Sequence, residues 1–582
     1  MKKFLLALPA LVALLAFGGA LNAQNTDDGV FALDVTIDGV TTTLKKGIDC
    51  GFETSSGWGG PVLANQCWEA VWQRSAAGDT LGCAAPANDL TGKIALSRRG
   101  VCNFTVKCQN AQDAGAGASI VFNHYTDGTQ NNCTVIPMGG TTTTVTIPSF
   151  FLSRDASEWI SAAINQGKTV TICTRLLSLY DPTAEYSYAI PVSQVDSLNL
   201  ITVNAVNRTG IEQEFNFKAT ITDPQNNQTV LEYAETLGID SSTLASFPLY
   251  KPSAGVGTYT IMYTADKAVA AGDTVYRSFE VTPYSYASDN LSLRAGGVGP
   301  VASDFITANF KYQTASMVKT GPAGMTAKYA TFGIGNASAV GTDNPAADLV
   351  NVLLYDADAN DDNSNDLSSN FSDMQFIAFG EANFSKNTPV DSLLNIELTS
   401  VIGDNVELEP NHLYYISILY DRVPAIEAGF DSTAMRFSFT NQVYYGQFTF
   451  DNGTRIGLAT PLQLGTLYSG WSGATVVTRL HEEGYEPVSS VKTNLLAETK
   501  VSLTPNPTVD FVNINLDLAT ENEMVAVTLI DFTGKALDTY VYKNVKQGQY
   551  SINTTNLPSG AYTMWIRTSK EGSTMRKLMI CH

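Results

Sequence analysis

Between Lys93 and Thr174 the chain alternates short apolar strings with two helix-like segments, and this order limits the fold more than any other feature. Ile94, Leu96 and Arg98 alternate with Ala95, Ser97 and Arg99, which suits a strand with one buried face. Gly100 breaks it, and Asn103 can cap a helix beginning at Phe104. Phe104, Lys107, Ala111 and Ala114 share one face of that helix, mostly small, so it can sit close on a sheet. Gly115 and Gly117 end the helix, because glycine reaches positive φ without steric cost. Ser119 to Phe122 then reads as a buried strand. The pattern repeats with Ser149 to Leu152 as a strand and Asp155 with Glu158 as a variant capping box. Ala156, Trp159, Ile160, Ala163 and Ile164 give an amphipathic helix, stopped by Gly167, and Thr169 to Thr174 returns as a strand.

These residues resemble the protease-associated (PA) domain of secreted peptidases. The resemblance rests on the string from Gly92 and Lys93 through Arg98, Arg99, Gly100, Cys102 and Phe104, on Lys107 with Asn110, Ala111 and Gln112, on Met138 with Gly139 and Gly140, and on Thr146 to Ser153. It implies an α/β PA domain, with residues 24–177 as the unit once flanking strands are counted. It also implies a non-catalytic role: binding protein substrates, gating an active site or mediating contacts. The contact surface would run along the loop with His124, Tyr125 and Met138 and the edge at Ile147 and Pro148. Trp68 and Trp72, four apart, are expected on one helical face, packed against the PA sheet.

Export is written at the N-terminus. Lys2 and Lys3 precede an apolar run from Phe4 to Phe17, and cleavage after Ala23 would end a signal peptide over residues 1–23. That run is too short for a dependable membrane span. A formal charge of −21 argues against binding nucleic acid, which needs a basic face. Seven of the eight cysteines lie between Cys50 and Cys173, which in an exported chain reads as disulfides. Cys83 and Cys102 flank the first PA strand and form the favoured pair; Cys133 with Cys173 and Cys50 with Cys67 are further expectations, and Cys108 is the candidate odd thiol.

The remainder predicts β-modules. Residues 178–191 read as a linker and 192–283 as an immunoglobulin-like or fibronectin-like sandwich, with strands at Leu198 to Val206, Phe215 to Ile221, Gly257 to Tyr263 and Thr274 to Val281. Residues 284–487 read as a jelly-roll-like sandwich. Its acidic loop places Asp356, Asp358, Asn360 and Asp362 at alternate positions, a set that could wrap one Ca²⁺. The EF-hand pattern fails there, since Asp361 replaces the glycine and Leu367 the bidentate glutamate, so a solvated acidic loop is the plainer reading. No other cofactor is suggested.

After a linker at 488–500, residues 501–582 form a compact β-unit. Val512, Ile514, Leu516 and Leu518 alternate with polar residues, Val525, Val527 and Leu529 continue on a second strand, and turns follow at Asp531 to Gly534 and Leu557 to Gly560. This unit resembles the C-terminal sorting domain of type IX secretion cargo, type A, through Pro505, Asn506, Pro507, Asp531, Gly534, Gly560, Tyr562 and Lys577. The resemblance implies passage across an outer membrane by the type IX machinery, removal of the tail, and then release or attachment to surface polysaccharide. The fold class expected overall is therefore multidomain and mostly β: the α/β PA domain, two β-sandwich modules and a small C-terminal β-sandwich sorting domain.

Catalytic signatures are scarce. The histidines are His124, His412, His481 and His582, and no HExxH helix occurs; the nearest string, at His481, has Tyr485 where the second ligand belongs. GxSxG and the aspartic-protease string are also missing. The favoured reading is an exported, non-catalytic binding protein whose partners are the secretion machinery and a protein or polysaccharide ligand. The alternative is a secreted peptidase or accessory subunit with its chemistry hidden in residues 284–487, where a pocket bringing His412 or His481 together with several carboxylates within metal range would favour it.

Overall fold

The computed structural model describes residues 31–46, 51–55, 57–63, 65–123, 135, 138–140, 144–184, 188–267, 274–289, 297–298, 311–335, 337, 349–359, 375–389, 392–401, 404–421, 437–440, 460–463, 466–467, 475–487, 496, 498–531 and 536–582. The expected signal peptide lies outside them. The chain is mostly β, with several sheets and two α-helices among the described residues.

The N-terminal unit holds strands β1 (Phe31–Ile37), β2 (Val40–Lys45), β3 (Phe52–Thr54), β4 (Cys67–Trp72), β5 (Ile94–Arg98), β6 (Ala118–Phe122), β7 (Ser149–Leu152) and β8 (Val170–Leu176), with helices α1 (Phe104–Asp113) and α2 (Arg154–Asn165). They form one sheet in the order β2-β1-β8-β4-β5-β6-β7-β3. The stretch β4-β5-β6-β7 is parallel. Parallel strands bury both faces, and the two helices cover them. Ala156, Ile160 and Ala163 of α2 pack on Leu96, Ile120, Phe122 and Phe150. On the other face, Cys108 of α1 packs with Val121 and Phe151, and Ala111 with Ala95.

Three local expectations change. The cap of α2 is Ser153, whose hydroxyl accepts from the Ala156 amide at 3.2 Å; Asp155 sits in the first turn instead. Trp68 and Trp72 are buried on strand β4, not on a helix. Both geometries put residues i and i+4 on one face, so spacing alone did not separate them. The third change is covalent. Cys83–Cys102 forms as expected, but Cys67 pairs with Cys173, so the pairs Cys133–Cys173 and Cys50–Cys67 are excluded. The reason is register: β4 runs antiparallel to β8 and sets Cys67 directly opposite Cys173. Cys50 and Cys133 lie outside the described residues. Cys108 is a buried free thiol and Cys581 an exposed one.

The stretch expected as a linker is structured. Strands β9 (Leu179–Ala184) and β10 (Ala189–Pro191) open the next unit, followed by β11 (Ile201–Val206), β12 (Gln213–Thr222), β13 (Gln228–Leu237), β14 (Ser242–Ser246), β15 (Gly257–Ala265), β16 (Val275–Thr282) and β17 (Ser285–Ala287). The small sheet β14-β11-β9 faces a sheet that begins β13-β12-β15-β16-β10-β17. That larger sheet does not stop at residue 283. Strand β17 pairs with Thr478–Glu482, which pairs with Met325–Ile334. One hydrophobic core accordingly runs from Leu179 and Phe217 to Phe332, Ile416 and Leu480.

A seven-stranded sheet closes the other side of this core. Val350, Val352, Leu354 and Ile418 point into the shared core. Its outer face carries Leu353, Tyr355, Phe376, Phe379 and Tyr415, covered by Ile530 and Trp565 of the C-terminal unit. That unit is a five-stranded sheet in which Val512, Ile514, Leu516, Val525, Val527 and Leu529 form the core with Met564 and Ile566. The two apolar runs expected as separate strands belong to one strand, Phe511–Ile530, with a register shift between Asp517 and Asn522.

Two measurements check these contacts. A Cβ on Gly60 would fall 1.9 Å from the Thr146 carbonyl oxygen. Gly60→Ala should therefore lower stability by about 1–3 kcal/mol in urea titration, as overpacking does. Iodoacetamide mapping by mass spectrometry should label Cys581 in the native protein and Cys108 only after unfolding, since burial both shields the Cys108 thiol and raises its pKa.

Candidate functional site

The residues that define the PA string act as ties between α1 and its surrounding loops. Lys107 is fully buried; its ammonium donates to the Gly100 carbonyl at 2.8 Å and to that of Leu81, and lies 3.6 Å from Cys83 Sγ. Burial lowers its pKa to about 8. Asn110 donates to the Gly82 carbonyl at 2.9 Å. Gln112 reaches the other way: Oε1 accepts from the Thr146 and Ile147 amides at 2.6 and 3.2 Å, and Nε2 donates to the Thr144 carbonyl at 2.8 Å. One helix therefore fixes the loop closed by Cys83–Cys102 on one side and the approach to β7 on the other.

This changes the expected contact surface. Met138 is fully buried, and its carbonyl accepts from the Trp58 indole at 2.7 Å; the residue belongs to the core beside Phe151. Pro148 is buried and Ile147 half-buried. His124 and Tyr125 lie outside the described residues.

The two histidines of the central region occupy different settings. His412 Nε2 meets Asp356 Oδ1 at 2.6 Å, and its backbone amide donates to Thr320 Oγ1 at 2.9 Å. Asp356 also accepts from the Asp358 amide at 3.0 Å. Asn360 and Asp362, the other residues of the Ca²⁺ expectation, fall outside the described residues. No group of three His, Cys, Asp or Glu able to hold a metal occurs among the described residues.

His481 is buried, stacked on Tyr485 at 3.8 Å, with Nδ1 2.7 Å from Ser285 Oγ and Nε2 2.8 Å from Thr331 Oγ1. Thr331 donates onward to Asn395 Oδ1 at 2.5 Å. Its hydroxyl proton is thus committed, so it accepts from Nε2–H, and Nδ1 accepts from Ser285. Burial first, and Arg479 second, lower the His481 pKa to about 3. A serine beside an imidazole has the outline of a nucleophile and base. Here the far nitrogen meets a neutral hydroxyl where a carboxylate would be needed, and Arg479 opposes the imidazolium that proton transfer would create.

A cavity of about 170 Å³ lies where β10, β17 and the Lys311–Lys319 strand meet, with Asn199, Tyr286, Ser316, Lys319 and Asn411 in its wall. Among the described residues, no histidine lines it.

In the C-terminal unit, Asn506 locks the Pro505–Pro507 turn to the last strand: its amide donates to the Lys577 carbonyl at 2.7 Å and its oxygen accepts from the Met579 amide at 2.8 Å. Tyr562, buried, donates to the Pro558 carbonyl at 2.8 Å and fixes the turn before Gly560. Asp531 is half-buried at the end of its strand, and Gly534 falls outside the described residues.

Comparison with known proteins agrees with both ends of the chain. A family model of the PA domain matches residues 63–160, and one of the secretion system C-terminal sorting domain matches residues 502–581. Signal peptide peptidase-like 4 of Oryza sativa subsp. japonica is 33% identical over 86 residues, 15% of this chain and 15% of that protein. Signal peptide peptidase-like 3 of Arabidopsis thaliana is 29% identical over 137 residues, 23% of this chain and 24% of its own length. Among solved structures, the aminopeptidase from Aneurinibacillus sp. strain AM-1 is similar at 22% identity with a TM-score of 0.19, covering 28% of this chain and 37% of that one. The chain thus spans well under half the length of these relatives. No described helix is long and apolar enough to cross a membrane. The chain carries a PA domain and a type IX sorting tail, and it is an exported protein, placed at the cell surface or secreted.

Proposed function

We propose that this protein is a non-catalytic binding protein of the cell exterior, delivered by its C-terminal tail, whose PA domain contacts protein or glycan. The contact would use the edge at Ile147, with His124 and Tyr125, which lie outside the described residues, as further candidates. Residues 24–177 act as the recognition unit, residues 178–487 as the β-rich body between it and the tail in the sequence, and residues 501–582 as the address read by the secretion machinery.

The observation that carries this reading is the state of His481. Among the described residues of the body, it is the histidine that sits in hydrogen-bond reach of a serine hydroxyl with the geometry of a base, at 2.7 Å from Ser285. A histidine with a pKa near 3 has little capacity to take that proton at neutral pH. Among the described residues, no third His, Cys, Asp or Glu joins His412 and Asp356 to complete the ligand set of a catalytic zinc. The curated relatives named as peptidase-like cover at most 23% of this chain, and the family model matched in its N-terminal part is the PA domain.

Digestion of casein and of a peptide library by the purified protein, with and without chelator, tests the proposal. The expected result is no turnover above buffer; robust, metal-sensitive cleavage overturns it. The state of His481 makes a separate prediction. Its folded pKa, about 3, lies below the ordinary 6.5, so the unfolded chain binds the extra proton and stability falls as pH drops from 6.5 towards 3. The loss should reach on the order of 3 kcal/mol by pH 4.5, at about 1.36 kcal/mol per unit. Comparing urea midpoints at pH 7.5 and 4.5 should show that His481→Gln has a shallower acid loss than the natural protein.

A further inference from the structure

Glu381 lies on the Gln375–Asn383 strand of the body, yet the side chains that hydrogen-bond its carboxylate among the described residues come from the sorting tail. Trp565 Nε1 donates to Oε1 at 3.0 Å, and Ser573 Oγ donates to Oε2. The Arg567 guanidinium stacks 4.2 Å from the Trp565 ring and is the charged group acting on the carboxylate from the tail side. From the body, the residue paired with Glu381 on the neighbouring strand is the uncharged Asn351. Around this polar centre, Trp565 and Ile530 lie against Leu353, Tyr355, Phe376, Phe379 and Tyr415. The tail's own core is complete without Trp565: Met564 and Ile566 point inward, so Trp565 points outward by strand alternation.

We propose that the tail is held on the body by a reversible, proton-linked clamp in which Glu381 receives Trp565 and Ser573, so that the tail face bearing Ile530, Trp565 and Ser573 is exposed only when the clamp releases. The linkage follows from where the carboxylate sits in each state. Docked, Glu381 is buried and its pKa rises to about 7, burial being the main cause and Arg567 and Trp565 opposing it. Released, it faces water and returns to the ordinary range near 4.5. A group whose docked pKa is raised favours docking fully below the free value and loses that contribution as pH rises through the docked value. Docking therefore weakens between about pH 4.5 and pH 7 and is flat above. Nothing in this depends on the binding function proposed above.

The test uses the full chain carrying Leu353→Cys, a position buried under the tail. The alkylation rate of the new thiol, divided by that of the exposed Cys581 in the same sample, reports the released fraction free of the intrinsic pH effect on thiols. The ratio should rise on the order of fiftyfold from about pH 5 to pH 8. Adding Glu381→Gln should remove most of that rise. Adding Trp565→Ala should raise the ratio at the lower pH, and so should Glu381→Lys, which leaves the tail sequence untouched and so separates release from a tail that has failed to fold. A pH-independent ratio in the parent, a rise that survives Glu381→Gln, or ratios unmoved by Trp565→Ala and Glu381→Lys would each overturn the proposal.

Discussion

The architecture after the PA domain depends on backbone pairing through a strand of three residues. Ser285–Ala287 hydrogen-bonds on one side to Ala189–Pro191 and on the other to Thr478–Glu482. An unpaired edge in the middle of a core would leave buried amides and carbonyls without partners, so this short strand fuses two sandwiches into one body. The Thr282 hydroxyl accepts from the Ser285 amide at 2.8 Å and fixes the turn that delivers it. The buried ion pair Asp289–Arg479 and the Ser285–His481 bond then hold the junction from its side chains. His481 is accordingly part of a joint. Its neutrality is what lets an imidazole sit there at low cost, because a buried cation beside Arg479 would have to be desolvated against a like charge.

How much of this was legible in the sequence depended on the range of the interactions. Strands β5, β6 and β7 and both helices were readable because short apolar runs, helical spacing and terminating glycines act over short distances along the chain, although β5 is buried on both faces where its alternation suggested one. The spacing of Trp68 and Trp72 points to a buried environment but not to a backbone, since a spacing of four satisfies a strand as well as a helix. The Cys67–Cys173 bridge was not readable, because it requires that β8 lie between β1 and β4, a matter of sheet order set by residues 106 positions apart. The same applies to β9 and β10. Short and proline-containing, they look like connection, and only pairing with β11 and β16 makes them strands.

The candidate site was legible in outline and misread in detail for a related reason. In the string Lys107, Asn110 and Gln112 each side chain satisfies backbone groups of a neighbouring loop. Loops packed over a helix end expose carbonyls and amides that no ladder completes. A lysine, an asparagine and a glutamine at fixed offsets complete them. Asn506 plays the same part in the tail, pairing with both the Lys577 carbonyl and the Met579 amide. Such residues are specific because geometry is demanding, and that specificity carries no information about a ligand. Met138 illustrates the converse: its place in the glycine-containing loop suggested contact, and its side chain fills the core.

The buried ionisable groups of the body give it a directional response to acidity. His481 resists protonation and Glu381 resists ionisation, both because burial penalises charge. Their effects on cohesion run in opposite directions. Acid places an unwelcome proton demand on the joint at Ser285–Ala287, while it favours the contact between Glu381 and Trp565. The two regions of the chain affected are also distinct: the first is internal to the body, the second lies between body and tail. A mild rise in pH therefore weakens the contact between body and tail without adding a proton to the joint.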